Sequence, residues 1–330
     1  MRPAPRVVAL GGGHGLAASL QALRHLTDRL TAVVTVADDG GSSGRLRAEL
    51  GVLPPGDLRM ALSALCDDGE WGRTWRDVLQ HRFTSDGSLH DHAVGNLLIV
   101  ALWELLGDPV AGLDWVARLL GSRGRVLPMS SVPLEIEADV AGLDDGCPDA
   151  VEVVRGQVAV ATTPGRVRAV RLIPQDPPAC REAVQAVRDA DWVVLGPGSW
   201  FTSVAVHLLV PDLADSLLTT RARRCVVLNL EAGRGETSGL TAAEHVRALT
   251  AHAPRLRLDV VLADPSAVED VDDLAAAVEA AGGRLVLRQV GLGDGSARHD
   301  PLRLAAAFRD VFDGALGDVG TVPPGRPDGP

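Results

Sequence analysis

Two glycine-rich runs near the N-terminus contain the residue types that could do chemistry. The first is Gly11-Gly12-Gly13-His14-Gly15, and the second is Asp38-Asp39-Gly40-Gly41-Ser42-Ser43-Gly44-Arg45. Glycines let backbone N–H groups approach a phosphate closely, and carboxylate oxygens are ligands that Mg²⁺ prefers. Together the runs predict a site for an anionic small molecule, with Asp38 and Asp39 as possible Mg²⁺ ligands.

The first run follows the apolar segment Val7–Leu10 and precedes Leu16, Leu20 and Leu23, which share one helical face. This order of strand, glycine loop and helix is typical of the first turn of a doubly wound sheet. A tight turn alone would need only one glycine, so four in five positions favour close approach of a ligand.

Two common nucleotide-binding motifs do not fit the first run. Counted from Gly11, the dinucleotide fingerprint G-x-G-x-x-G requires a glycine at position 16, where this chain has Leu16. This mismatch disfavours a nicotinamide-dependent enzyme, in which Asp38 would bind a ribose hydroxyl. A Walker A loop needs a lysine, and the chain contains none. The absence of lysine and tyrosine also excludes Schiff-base and pyridoxal chemistry and a tyrosine general acid.

Composition narrows the class of ligand. The 330 residues are 46% hydrophobic, and 32 basic against 43 acidic residues give a net charge of −11. An acidic protein of this kind is not expected to bind nucleic acid, so a small molecule held by local arginines fits better. The N-terminus lacks the pattern of a signal peptide and no run has transmembrane length, so we expect a cytoplasmic protein without membrane insertion. The four cysteines are widely spaced, which predicts no zinc or disulfide framework.

Apolar runs of the buried parallel type alternate with helical segments along the chain. The predicted strands are 7–10, 31–37, 191–195, 224–230, 258–262 and 283–290. The predicted helices are 16–30, 57–64, 95–106, 110–120, 179–190, 241–252 and 271–281. The alternation predicts one α/β domain over residues 1–313, with a Rossmann-like, doubly wound, mainly parallel sheet.

The segment 124–172 has a different pattern. Its valine-rich runs 134–140, 152–160 and 167–172 are separated by glycine or proline turns, which predicts a small β-rich insertion of antiparallel strands. The Pro/Gly-rich tail 314–330 has no apolar periodicity, and we expect it to be disordered.

Further polar groups are expected at other strand-to-helix junctions, where ligands of such sheets collect. After the strand 191–195, Gly196, Gly198 and Ser199 suit a phosphate, and Trp200 or Phe201 could stack on a ligand or pack in the core. Asn229 could hydrogen-bond to a base or a hydroxyl of the ligand. Thr237 and Ser238 could bind the ligand or cap the helix that starts near Thr241. Glu244 completes a capping box with Thr241. The remaining candidates are Asp57, Arg59, His90, His92 and Asn96. Because no third metal ligand has suitable spacing, the two histidines are more consistent with hydrogen bonding or phosphate contact than with a metal site.

In this order, the motifs resemble the gluconeogenesis factor family, which is related to 2-phospho-L-lactate transferase. The matching segments are Gly11–Gly15, VTVADDGGSSGR at 34–45, LPPGDLR at 53–59, His92 with Gly95-Asn96-Leu97-Leu98, LGPGSWFTS at 195–203, and Asn229 with Gly235-Glu236-Thr237. The resemblance extends from about Arg6 to Asp310. It departs from the family at Leu240, where an aromatic residue is usual, at Asp91 in place of a glycine, and at Val206-His207 in place of Pro-Asn.

The resemblance implies a Rossmann-like factor that binds a UDP-sugar such as UDP-N-acetylglucosamine and regulates cell shape and cell-wall metabolism on gluconeogenic carbon. In this hypothesis residues 11–15 with Gly198 and Ser199 hold the diphosphate, and Asn96 and Asn229 orient the base or sugar. The alternative is a Mg²⁺-dependent enzyme that moves a phospho-lactyl group from a nucleotide diphosphate to a deazaflavin, with Asp38, Asp39 or Asp57 as metal ligand or base. A homodimer is compatible with both hypotheses.

Overall fold

The computed structural model describes residues 3–314 apart from 145, 148 and 232–234. Seven parallel strands form the main sheet in the order β10-β9-β8-β7-β1-β2-β3. Their bounds are β1 Val7–Gly11, β2 Leu30–Val34, β3 Arg125–Pro128, β7 Trp192–Leu195, β8 Arg223–Val227, β9 Val260–Ala263 and β10 Arg284–Leu287. The strands are short, mostly apolar runs, and β1, β7 and β9 are fully buried, as expected for a parallel sheet covered on both faces.

Twelve α-helices connect and cover the strands in the described part of the chain. They are α1 Gly13–Leu23, α2 Gly41–Leu50, α3 Gly56–Ala64, α4 Glu70–Gln80, α5 Val94–Leu106, α6 Pro109–Leu119, α7 Gln157–Ala161, α8 Arg181–Asp189, α9 Pro211–Thr219, α10 Ala242–His252, α11 Val271–Ala280 and α12 Pro301–Asp313. A π-helical turn at Trp200–Val204 and a 3₁₀ turn at Ala205–Leu209 precede α9. The predicted Rossmann-like fold class is therefore confirmed.

A second, three-stranded antiparallel sheet has the order β5-β4-β6. Its strands are β4 Glu135–Ala141, β5 Val151–Arg155 and β6 Arg166–Ile173. The antiparallel insertion was predicted, but two of its boundaries differ. Residues 125–128 pair with β2 in the main sheet, so the inserted sheet begins at Glu135 rather than at 124. The run 152–160 is a strand only to Arg155, because Gly156 at φ +96° turns the chain into α7.

The helix boundaries also show where the sequence pattern was incomplete. The predicted helix 16–30 ends at Leu23, because residues 30–34 are needed for β2. Helices α2, α4, α7, α9 and α12 were not predicted. The capping box at the start of α10 is confirmed, since the Thr241 hydroxyl accepts the Glu244 N–H and the Glu244 carboxylate accepts the Thr241 N–H.

The expected disordered tail lies outside the described residues, apart from Gly314, which ends α12 with φ +65°. Among the described helices, no single one has the length and apolar composition needed to cross a membrane. One bent pair, Trp200–Leu209 with Pro211–Thr219, passes that test by length and composition only.

Candidate functional site

Strands β1 and β7 are neighbours in the sheet, and the chain leaves them toward opposite sides. From β1 it continues to β2, whereas from β7 it continues to β8 on the other side. The crevice at the carboxyl ends of two such strands is the usual ligand position in doubly wound sheets. The structure brings the loops that follow β1, β2, β7 and β8 to this edge, as the sequence predicts.

The β1 loop is packed too tightly for side chains at two of its glycines. A β-carbon on Gly12 would lie 2.5 Å from both the Asp57 carboxylate and the Thr35 hydroxyl. A β-carbon on Gly15 would overlap the carbonyl group of Pro197 in the β7 loop. Gly13 has φ +57°, which side chains rarely adopt. These glycines therefore allow the start of α1 to contact both the β7 loop and a buried carboxyl.

A cavity of about 460 Å³ lies between α1 and the loops after β7, β8 and β10. Its lining includes His14, Gly15, Gln21, Gly198, Asn229 and Arg298. A second cavity of about 420 Å³ adjoins it through Leu230, Glu231 and Ala297. The first cavity therefore borders the start of α1, where the first N–H groups of a helix lack helical acceptors.

The β7 loop is held by Asn229. The side-chain oxygen of Asn229 accepts the Gly198 N–H at 2.9 Å, and its amide nitrogen donates to the Gly198 carbonyl at 2.9 Å. Ser19 also donates to the Gly196 carbonyl at 3.0 Å. Asn229 thus positions the loop, and its expected contact with a base or sugar stays a prediction. Ser199 is exposed at the loop tip.

The aromatic residues after this loop are buried. Trp200 is 0% exposed and Phe201 is 5% exposed, so both pack in the core. Of the two alternatives that the sequence left open, packing in the core is therefore the one observed.

Asp57 lies at the centre of the edge, in the first turn of α3. Its carboxylate accepts the Thr35 hydroxyl at 3.0 Å and a backbone N–H from Gly13. The residue keeps partial exposure, but its carboxyl lies among protein atoms. Burial, and then the charge of Asp38, raise the pKa of Asp57 from 3.8 to about 6. Such a carboxyl can gain or lose a proton near neutral pH.

The two adjacent acids of the β2 loop point to different elements. Asp38 accepts the Gly40 N–H at 2.9 Å and lies against Gly56 at the start of α3. Asp39 instead accepts the Val158 N–H of α7 at 3.0 Å. Across the described residues, no group of three or more His, Cys, Asp or Glu side chains is arranged to hold a metal ion. The Mg²⁺ site at Asp38 and Asp39 therefore stays a prediction without a third ligand.

A buried polar network lies beneath the β2 loop. Ser42 contacts Nδ1 of His92 at 3.0 Å and accepts the Asn96 side-chain amide at 3.0 Å. The Asn96 oxygen accepts Nε of Arg59 at 2.9 Å, and Arg59 also donates to Gln80. Burial, as the largest cause, lowers the pKa of Arg59 to about 10 and also lowers the pKa of His92.

The contacts of Asn96 show which element the buried network supports. Both polar groups of Asn96 are used within the protein, and only 1% of the residue is exposed. Asn96 therefore supports the start of α2, and its expected contact with a ligand stays a prediction. Ser43 is also buried and lies against Gly56, whereas Gly40 is partly exposed beside Asp38.

Glu236 and Thr237 are buried at 5% and 3% exposure. The Glu236 carboxyl accepts the Phe201 N–H at 3.0 Å, at the start of the π-helical turn. Burial raises the pKa of Glu236 from 4.5 to about 7. This carboxyl therefore occupies one backbone N–H of the turn that follows Gly198 and Ser199. The preceding residues 232–234 are outside the described residues.

Sequence reasoning missed several residues of this edge. Thr35 was hidden inside an apolar run, and Gln80 is at the end of the unpredicted α4. The segment Gly291-Leu292-Gly293-Asp294-Gly295-Ser296-Ala297-Arg298 supplies a wall of both cavities. Its glycines at alternate positions after β10 were a signal that could have identified it.

Three comparisons relate this chain to known proteins. Residues 7–281 match the family model of 2-phospho-L-lactate transferase CofD. A provisionally named gluconeogenesis factor of Mycobacterium leprae is 53% identical over 93% of this chain and 86% of its own length. The gluconeogenesis factor of Bacillus subtilis is 36% identical over 82% of this chain and 80% of its own length. A crystal structure of a UPF0052 family member from Bacillus halodurans aligns with a TM-score of 0.82 at 32% identity, over 92% of this chain and 98% of that chain.

Proposed function

Since the chain belongs to the family of gluconeogenesis factors and 2-phospho-L-lactate transferase CofD, we propose that it is a cytoplasmic regulatory protein that binds a nucleotide-diphosphate sugar. The sugar nucleotide is of the UDP-N-acetylglucosamine type, and its binding regulates cell shape and cell-wall metabolism on gluconeogenic carbon. The family membership agrees with the resemblance that the motifs predicted.

The observation that carries the proposal is the 460 Å³ cavity at the β1/β7 crevice. The first turn of α1 borders it through His14 and Gly15, and that turn contains no acidic residue. The Gly13 N–H is donated to Asp57, and the other N–H groups of the first turn, together with the positive end of the helix dipole, favour a diphosphate there. Arg298 adds a guanidinium to the lining of the cavity, which matters in a chain with a net charge of −11.

Calorimetric titration with UDP-N-acetylglucosamine, with and without Mg²⁺, tests the proposal. We expect the wild-type protein to bind, and Arg298→Ala to weaken binding by roughly 1.5–3 kcal/mol, the range for a hydrogen bond to a charged group. Arg309→Ala is the matched control, because Arg309 is an exposed arginine on α12 that does not line either cavity. Absence of binding, or equal loss in both variants, would refute the assignment of this cavity.

A second candidate function is transfer of a phospho-lactyl group, for which Asp57 is the favouring observation. A carboxyl whose pKa is about 6, beside the β1 glycine loop, could accept a proton from an acceptor hydroxyl. This function predicts Mg²⁺-dependent release of nucleotide from a diphosphate donor in the presence of a deazaflavin alcohol, and its loss in Asp57→Asn. No release from guanosine-linked or uridine-linked donors would leave the binding function as the better description.

A further inference from the structure

The short helix α7 connects the inserted sheet to the β2 loop. At its first turn the Val158 N–H donates to the Asp39 carboxylate at 3.0 Å. The second oxygen of Asp39 lies so close to Gly156 that a β-carbon there would overlap it. Asp39 therefore acts as the N-terminal cap of α7 from a distant part of the chain.

The other end of α7 contacts the segment that follows β8. The carbonyl oxygen of Ala161, the last residue of α7, accepts the Glu236 N–H at 3.2 Å. Gly235, with φ +90°, packs so tightly on the same carbonyl that a β-carbon would overlap it. The Glu236 carboxylate then accepts the Phe201 N–H after the β7 loop, so α7 reaches the β7 loop through one side chain.

Helix α7 is also fixed to the inserted sheet. Only Gly156 separates it from β5, and the Gly156 N–H donates to the Ile136 carbonyl of β4 at 2.8 Å. Val160, in the middle of α7, is fully buried. Helix α7 is therefore anchored on the inserted sheet and contacts both the β2 loop and the segment that follows β8.

We propose that Asp39 is a positioning residue, which acts through α7 to hold the Gly235–Thr237 segment and, through Glu236, the β7 loop in place for a ligand. The ligand part of this inference depends on the proposed function, whereas the link between Asp39 and Glu236 does not. Because one Asp39 oxygen accepts the Val158 N–H and the other lies against Gly156, this role differs from that of a metal ligand.

Hydrogen exchange of the ligand-free protein tests the link directly. In Asp39→Ala we expect the backbone amides of Phe201 and of residues 235–240 to exchange at least about tenfold faster than in the wild type. Asp39→Asn keeps an acceptor oxygen and should retain most of the protection. Gly235→Ala, which disturbs the opposite end of α7, should speed exchange at residues 157–161.

Asp108→Ala is the matched control for the loss of a helix cap. Asp108 caps α6 by accepting the Val110 and Ala111 N–H groups at 2.9 and 3.3 Å, and it lines none of the cavities described above. Its substitution should leave exchange at 235–240 unchanged. Unchanged exchange in Asp39→Ala, or an equal change in Asp108→Ala, would overturn the proposal.

Titration of the same variants with UDP-N-acetylglucosamine separates the link between Asp39 and Glu236 from its effect on ligand binding. If the wild type binds, Asp39→Ala should weaken binding by at least tenfold, with rescue by Asp39→Asn. If the wild type does not bind, the proposed function fails and the exchange data alone decide the link. Binding that loses its Mg²⁺ dependence in Asp39→Asn would make Asp39 a metal ligand and overturn the positioning role.

Discussion

Replacing Asp57 by Asn should remove a loss of stability that the wild-type protein acquires as the pH rises. The folded pKa of Asp57 is raised from 3.8 to about 6, first by burial and then by the charge of Asp38. A raised carboxyl pKa means that the folded state holds this proton more tightly than the unfolded state. Stability is therefore lost as pH rises from about 4 to about 6, and the loss stays constant above that window.

The size of the effect follows from the shift in pKa. A shift of roughly two units corresponds to about 3 kcal/mol of lost stability at pH 8, where Asp57 is ionised in both states. At pH 5 the folded carboxyl is mostly protonated and the loss is about 1.5 kcal/mol. An asparagine cannot ionise, so the variant should gain about 1.5 kcal/mol relative to the wild type between pH 5 and pH 8.

Urea unfolding of both proteins at the two pH values measures this double difference. The hydrogen bonds that asparagine loses from Thr35 or Gly13 lower stability equally at both pH values, so they cancel. His207 cancels too: burial lowers its pKa to about 4 in the folded protein, which raises stability with pH in wild type and variant alike. An unfolding free-energy difference that is the same at pH 5 and pH 8 would refute the buried ionisation of Asp57.

Three further predictions test other parts of the edge. Burial raises the pKa of Glu236 from 4.5 to about 7, so the wild type loses about 3 kcal/mol of stability as the pH rises through this range. Glu236→Gln should remove that loss, which melting temperatures of both proteins at pH 5 and pH 8 would show. Gly15→Ala, whose β-carbon would overlap the Pro197 carbonyl, should lower the affinity for UDP-N-acetylglucosamine at least about tenfold, while Gly87→Ala, with no atom within 4 Å, should not. Arg59→Ala should cost about 1–3 kcal/mol in denaturant unfolding, because it leaves the buried side-chain oxygen of Asn96 without its donor.

The main sheet was predictable because each buried parallel strand is a continuous apolar run with a turn signal after it. Val7–Leu10 before four glycines is the clearest case, and the strand ends at Gly11, one residue later than predicted. The short strand 125–128 was not predicted as a strand, and its residues were placed in the inserted segment, whereas it pairs with β2 at the edge of the main sheet. Four residues contain too little pattern to distinguish an edge strand of the main sheet from an antiparallel one.

Two missed helices show different causes. Helix α12 had a readable signal, with Asp300 at the N-cap, Pro301 after it, and Leu304, Phe308 and Val311 buried on one face. Helix α2 had none, because its sequence GSSGRLRAEL buries only Leu46 among its apolar residues. Its buried face consists of Ser42 and Ser43 instead, and the Ser42 hydroxyl is satisfied by His92 and Asn96 from distant parts of the chain. Helix propensity and apolar periodicity give no information about such long-range polar partners.

The pair Asp38-Asp39 illustrates the limit of motif reading at the site itself. Two adjacent carboxylates suggest joint binding of one cation, but neighbouring residues outside a helix commonly project in opposite directions. Here Asp38 faces the start of α3 beside Asp57, and Asp39 faces α7 of the inserted sheet. The consequence is a division of roles in which one acid raises the pKa of the central carboxyl and the other joins the insertion to the site. Substitution of Asp38 should therefore alter the pKa of Asp57. Substitution of Asp39 should instead speed the hydrogen exchange of residues 235–240.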